Sequence, residues 1–234
     1  MRVTREALSP VLIWAVACVP EGPRTDEELV VPPAVVDAGE RITAPWSDSF
    51  DRAELGGEYN VLSPAWHLES GKLCASGAKN HGVWLTKRLP RDVKVSLDAV
   101  AGSADGDLKI EIFGDGKRGA SGVSYDDATG YIAILGGWKN TLHALARLDE
   151  HGDDRLTIKV EDPSDDARAR RVAPGQTYHF ELERRGPVLR WLVDGAVFFE
   201  LTDPEPLVGA GHEHFGFNDW DAPVCFDNLE IVPL

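Results

Sequence analysis

Gly211-His-Glu-His-Phe-Gly-Phe-Asn-Asp-Trp-Asp-Ala-Pro-Val-Cys-Phe-Asp-Asn-Leu-Glu-Ile-Val-Pro-Leu234 reads as two strands around a short polar turn, and its second strand decides the fold. Side chains of an extended chain point alternately to opposite faces. Val224 and Phe226 therefore share one face and Cys225 takes the other, after which Leu229 and Ile231 carry the apolar signal on the face opposite Phe226. A strand that is apolar on both faces, or that is bulged near Asp227-Asn228, belongs in the interior of a sheet. Upstream, His212, His214, Asn218, Asp219, Trp220 and Asp221 fall within ten residues between apolar segments, which marks this turn as the expected place for a site.

Period-two alternation recurs along the chain between Gly, Asp, Asn and Pro. Val93, Val95, Leu97 and Ala99 alternate with Lys94, Ser96 and Asp98, and Leu108, Ile110 and Ile112 alternate with Lys109 and Glu111. The same holds for Leu156, Ile158 and Val160, and for Tyr178, Phe180 and Leu182. Each such strand is expected to have one wet and one dry face. Ser70-Gly71, Arg185-Gly186 and Asp194-Gly195 are hairpin signals, because Gly supplies the positive φ of tight turns. Residues 161–175 break the pattern as a long charged loop, with room for one helical turn after Ser164. No stretch keeps helical spacing, so the chain is all-β.

With 234 residues, of which 43% are hydrophobic, the chain is long enough for one sizeable core. The formal charge of −15 is spread along the sequence, which describes a solvated acidic surface and argues against nucleic acid as a partner. Arg2 and Arg5 precede the apolar run Val11–Ala17 and then Cys18. That run is too short to span a bilayer and reads as a signal peptide over 1–17. Ala15 and Ala17 before Cys18 resemble the lipobox of bacterial lipoproteins, which implies an acylated Cys18 and membrane anchoring at the cell envelope. Residues 18–45, rich in Pro and acidic side chains, read as a tether, and 46–234 as the domain. The default for Cys74 and Cys225 in strands is two separate buried thiols acting as small hydrophobes. The alternative in an oxidising compartment is a disulfide closing a long loop.

Phe50-Asp-Arg52, Trp66-His-Leu-Glu-Ser-Gly-Lys-Leu73, the hairpin from Tyr178 to Val193-Asp-Gly195 and the closing strand Val224–Ile231 together resemble concanavalin A-like jelly-roll domains. Laminin G-like and laminarinase-like sandwiches are of this kind, and the likeness is nearest to the 3-keto-disaccharide hydrolase-like subgroup of exported bacterial proteins. It covers 46–234 and implies a two-sheet antiparallel jelly-roll sandwich. The laminarinase-type enzymes carry Glu-x-Asp-x-Glu on one strand face, whereas here Glu111 stands between Lys109 and Phe113.

Sugars present apolar C–H faces that stack on aromatic rings, while Asn, His and Asp bind their hydroxyls. Trp138 in the turn Gly136-Gly-Trp-Lys-Asn140 and Trp220 are the candidate stacking residues, with Asn140, His143, His212, His214 and Asn218 as hydroxyl ligands. The competing reading has these tryptophans capping the ends of the core. The expected function is carbohydrate or glycoconjugate binding without catalysis. A second class is a glycoside or keto-glycoside hydrolase using His212 or His214 beside Glu213 or Asp221, and a third is a protein-binding scaffold. Asp105 with Asp107, and Asp126 with Asp127, are candidate ligands for a structural Ca²⁺, with ordinary turn chemistry as the commoner explanation. There is no Gly-x-Ser-x-Gly elbow, Cys-x-x-Cys pair or phosphate-binding Gly loop. Oligomeric state is not legible.

Overall fold

The computed structural model describes residues 39–234. The expected signal peptide, Cys18 and most of the expected tether lie outside the described residues. Among the described residues, fifteen strands form two antiparallel sheets packed face to face. One sheet runs β13 (Ala196–Thr202), β12 (Val188–Val193), β11 (Thr177–Arg185), β6 (Val93–Ala101), β15 (Val224–Pro233), β4 (Lys72–Ala75), β3 (His67–Glu69), with β1 (Trp46–Asp48) also on β15. The other runs β10 (Leu156–Lys159), β9 (Leu142–Arg147), β8 (Tyr131–Gly136), β7 (Leu108–Gly114), β14 (His214–Asn218), β5 (Val83–Leu85), β2 (Tyr59–Val61).

β15 is the interior strand that its composition requires, paired with β6 on one side and β4 and β1 on the other. A one-residue bulge separates the register Asp227↔Asp98 from Glu230↔Ser96, and Asn228 takes a left-handed φ of 51° within it. The extra residue reverses side-chain parity. Val224, Phe226, Leu229 and Ile231 consequently all enter the one core, where they are buried. Cys225 lies directly opposite Cys74 across the β4–β15 ladder, and the two form a disulfide. The default of separate thiols is thereby corrected, because direct register puts the two Cα atoms 4.1 Å apart.

Ser70-Gly71 and Asp194-Gly195 each place two successive residues at positive φ, the geometry of a type I′ hairpin. Within 161–175 one 3-10 turn forms at Ala167–Ala169, capped by Asp166 accepting from the Arg168 N–H. The rule of one wet and one dry face fails at β7, every residue of which is buried. The segment between β7 and β8 folds back over the outer face of this sheet. There Ala120, Tyr125 and Ala128 pack with Ile132, Ile134, Ala144 and Ala146 as a second, smaller core. Glu111 is sealed beneath it, and Lys109 is buried beside it on the same strand.

Candidate functional site

The chain between β8 and β9 makes a short left-handed turn. Trp138 (φ 50°, ψ 53°), Lys139 (φ 58°, ψ 46°) and Asn140 (φ 62°) are successive L-residues in the left-handed region. Each such placement costs about 1–2 kcal/mol for a residue with a Cβ. The surrounding groups hold the turn. Asn140 donates its amide to the carbonyls of Ala104 (2.9 Å) and Val172 (2.8 Å) and accepts from the Val172 N–H (3.0 Å). His143 accepts the Gly136 N–H at Nδ1 (2.8 Å), so Nε2 donates to the Arg170 carbonyl (3.1 Å). Burial holds its pKa below the usual histidine value, in keeping with a neutral ring. Gly136 is required on two counts, since its φ is 76° and a Cβ would lie 2.6 Å from Val172 Cγ2.

Topology brings this turn to a cavity. β8, β7 and β14 are antiparallel neighbours, so the end of β8, the start of β7 and the end of β14 meet at the same end of the sheet. Gly106 lies so close to the turn that a Cβ would sit 2.6 Å from the Gly136 carbonyl, which accepts the Asp107 N–H at 2.9 Å. The result is a cavity of 490 Å³ lined by Trp138, Trp220, Asp105, Asp107, Lys139 and Asp221, with Asn80, Lys109 and Glu150 as its polar groups from below and Val123, Ser124, His151 and Ala222 completing it. Lys79, Asn80 and Asp107 also have positive φ. Strained backbone gathers at ligand clamps more than elsewhere.

Both tryptophans are half-buried. The Arg155 guanidinium lies 4.8 Å from the Trp138 ring centroid and the Lys79 ammonium 4.6 Å from that of Trp220. Cation–π contacts of this kind fix ring orientation. The His151 ring meets Trp138 edge-on at 5.6 Å.

Beneath them the buried Lys109 donates to Asn80 Oδ1 (2.8 Å) and to both Glu150 oxygens (3.1 Å each). Burial pulls its pKa down, but Asp107 and Glu150 outweigh that and hold it above the ordinary lysine value. Glu111, whose sequence neighbours offered no partner, accepts from the Tyr125 hydroxyl (2.9 Å) and from the Asn218 amide. Burial pushes its pKa up to about 7 against those bonds. Asp219 is buried between two cavity residues: its carbonyl accepts from Asn80 and the next residue is Trp220. Burial raises its pKa to about 6, the Ala78 N–H opposes this, and Asp107 adds to it.

The candidate residues are thus sorted into two ends of the sheet. Trp138, Trp220, Asp105, Asp107 and Asp221 line the cavity. Asn140, His143 and Asn218, expected as hydroxyl ligands, are instead buried supports whose polar groups are engaged internally, because each sits beneath a loop rather than on it. The expected single polar turn is also corrected: β14 intervenes between its His and Trp residues. His212 and His214 lie at the opposite end of that strand, hydrogen-bonded through Nδ1 to the carbonyls of Thr129 (2.7 Å) and Leu85 (2.9 Å). Glu213 pairs with Arg41 and Arg88, while Asp221 pairs with Lys79. His212, Glu213 and His214 therefore share no cleft with Asp221. Asp126 and Asp127 belong to the covering segment, away from Asp105 and Asp107, and among the described residues no three His, Cys, Asp or Glu side chains converge as metal ligands. Sequence reasoning missed Asn80, Lys109, Glu150 and His151. The only signal is a lysine and a glutamate inside the β7 alternation, a pattern that by itself implies solvent exposure.

No protein-family model matches the chain, and no curated protein matches it. Solved structures do. The Emp47p carbohydrate recognition domain superposes with a TM-score of 0.57 at 12% identity, over 81% of this chain and 94% of that one. The carbohydrate binding module CBM66 from Bacillus subtilis gives 0.54 at 14% identity, over 74% and 94%. A native glycosidic hydrolase gives 0.55 at 10% identity, over 84% and 99%. At these identities the likeness is one of fold: a two-sheet concanavalin A-like jelly roll.

Proposed function

We propose that this chain is a carbohydrate-binding domain that holds a saccharide in the Trp138–Trp220 cavity without acting on it. The carrying observation is that two half-buried tryptophans, 82 residues apart in sequence, line one cavity with polar groups at its base. The volume suits a small ligand. Each ring is held by a cation, and its part that lines the cavity can meet the C–H face of a sugar. Similarity in fold to a carbohydrate binding module and a carbohydrate recognition domain supports the reading. Two of the carboxyls nearest the cavity are committed to the fold, since Glu150 is held by Lys109 and Glu111 is sealed beneath Tyr125; Asp105 and Asp107 are read here as ligand-holding groups. In the same proposal Cys18 is acylated and fixes the exported protein to a bacterial envelope membrane.

The test presents residues 19–234, with Trp138→Ala, Trp220→Ala and His212→Ala, to a glycan panel and records retention and released product together. Expected is retention without product, weakened by roughly tenfold or more in either Trp variant and unchanged in His212→Ala. Product that disappears in His212→Ala would make the protein a hydrolase, and absence of retention on every glycan would remove the binding reading. For the anchor, Cys18→Ser in the full chain should abolish fatty-acid labelling, and labelling that persists would refute it.

A further inference from the structure

Resting on the saccharide reading, we infer that the bound saccharide carries a primary amine and that Asp105 and Asp107 receive its ammonium group. The argument is an inventory of which charges in the cavity remain available. An ammonium group has three protons to donate, and Lys109 gives all three to Asn80 and the two oxygens of Glu150. It has nothing left for an anionic ligand. Lys139, the other lysine of the lining, is exposed at the rim, where water and salt screen it. Lys79 and Arg155 stand on the tryptophans outside the lining and are engaged with Asp221 and with the Glu150 carbonyl.

The carboxylates are in the opposite condition. Asp107 accepts only a long bond from the Trp220 N–H (3.3 Å), and neither it nor Asp105 has a salt-bridge partner among the described residues. A second, independent sign lies behind the wall. Asp219 is fully buried between Asn80 and Trp220, and its Oδ1 has no hydrogen-bond partner. With Lys109 shared among Glu150, Asp107 and Asp219, this end of the sheet carries more carboxylates than cations and is short of positive charge. A ligand ammonium at Asp105 and Asp107 supplies it, through charge-assisted hydrogen bonds stronger than those to a neutral hydroxyl. A uronate or sulfated sugar would meet like charge, with only the rim ammonium of Lys139 to set against it.

The test compares the β-1,4-linked dimer of glucosamine with its N,N′-diacetyl counterpart, which keeps the same rings and removes the charge. Calorimetric titration of residues 19–234 at low salt should give affinity for the free-amine dimer roughly tenfold higher, which is about 1.4 kcal/mol. Asp107→Asn, and Asp105→Asn with Asp107→Asn, should bring the two dimers within about threefold of each other, while Trp138→Ala should lose both. Glu230→Gln removes one exposed carboxylate far from the cavity and should leave the ratio unchanged; a fall there would expose a nonspecific attraction to the acidic surface and overturn the inference. Equal affinity for the two dimers, or tighter binding of a uronate oligomer, overturns the amine assignment and leaves the saccharide site standing. No binding of either dimer, with retention on a neutral glycan, does the same. No binding of any glycan removes both.

Discussion

Lys109 sits in an apolar strand where alternation reads it as facing water, yet it is among the most completely buried side chains of the protein. A buried cation is tolerated only when its charge and its protons are matched. Lys109→Met should therefore leave Glu150 and Asn80 without their donor and destabilise the fold by about 3–5 kcal/mol, read from urea denaturation midpoints. Adding Glu150→Gln should restore a large part of that loss, and no restoration would show that Glu150 is not its partner in folding. Glu111 makes a second prediction. The unfolded chain releases this proton near 4.5, whereas the folded protein keeps it to about 7. Asp219 behaves likewise between 3.8 and about 6. In that window the folded state binds more protons, so the stabilising contribution is complete below the unfolded values and is lost as pH rises toward 7. Asp48, Asp98 and Asp203 have lowered values and act in the opposite sense, losing their contribution as pH falls below 3.8. His143, buried and held below 6.5, also opposes Glu111 and Asp219, losing its contribution as pH falls below that value; with those two carboxyls together outweighing it, thermal midpoints of the wild type should fall from pH 5 to pH 7.5. Glu111→Gln should flatten that slope, and an unaltered slope would locate the effect elsewhere. None of this is visible in the sequence, because what converts a wet face into a sealed one is the segment from 115 to 130, and its polar, Gly-rich composition does not announce where it folds.

At the scale of elements, β15 was readable to the bulge, because parity arguments use only local spacing. Its apolar residues change face between Phe226 and Leu229, and a single inserted residue is the device that returns them to one core. Deleting Asn228 should turn Leu229 and Ile231 outward and abolish cooperative unfolding, whereas Asn228→Gly should be tolerated at its positive φ. The disulfide between β4 and β15, which overturns the default of separate thiols, is not legible in the sequence because pairing depends on register between strands 151 residues apart. In the chain-entropy model such a loop contributes about 5 kcal/mol. Cys74→Ala with Cys225→Ala should lower the denaturation midpoint strongly and make it indifferent to reductant. The left-handed turn shows the reverse case. Gly136-Gly137 and Trp138 announced a turn, but not that three L-residues would be held in the left-handed region, since the restraint comes from Asn140 and His143 reaching Ala104, Val172 and Arg170. Lys139→Gly should relieve strain and raise stability by roughly 1 kcal/mol, with saccharide retention intact, because Trp138 is kept in place by its neighbours.

At the scale of the whole molecule the sheet has two unlike ends. β7 rises about 3.3 Å per residue, so its seven residues separate the Asp107 end from the Gly114 end by roughly 20 Å. The cavity lies at the Asp107 end. At the other end the Glu213 N–H donates to the Gly114 carbonyl, and Glu213 holds Arg41, which forms a parallel bridge with Arg88. Ile42 beside it is buried in the core. Arg41 and Ile42 therefore join the domain at the end opposite the cavity. This explains why the strand β14, rather than one polar turn, carries the residues that looked like a single site: His212, Glu213 and His214 belong to the Arg41 end, and Trp220 and Asp221 to the binding end.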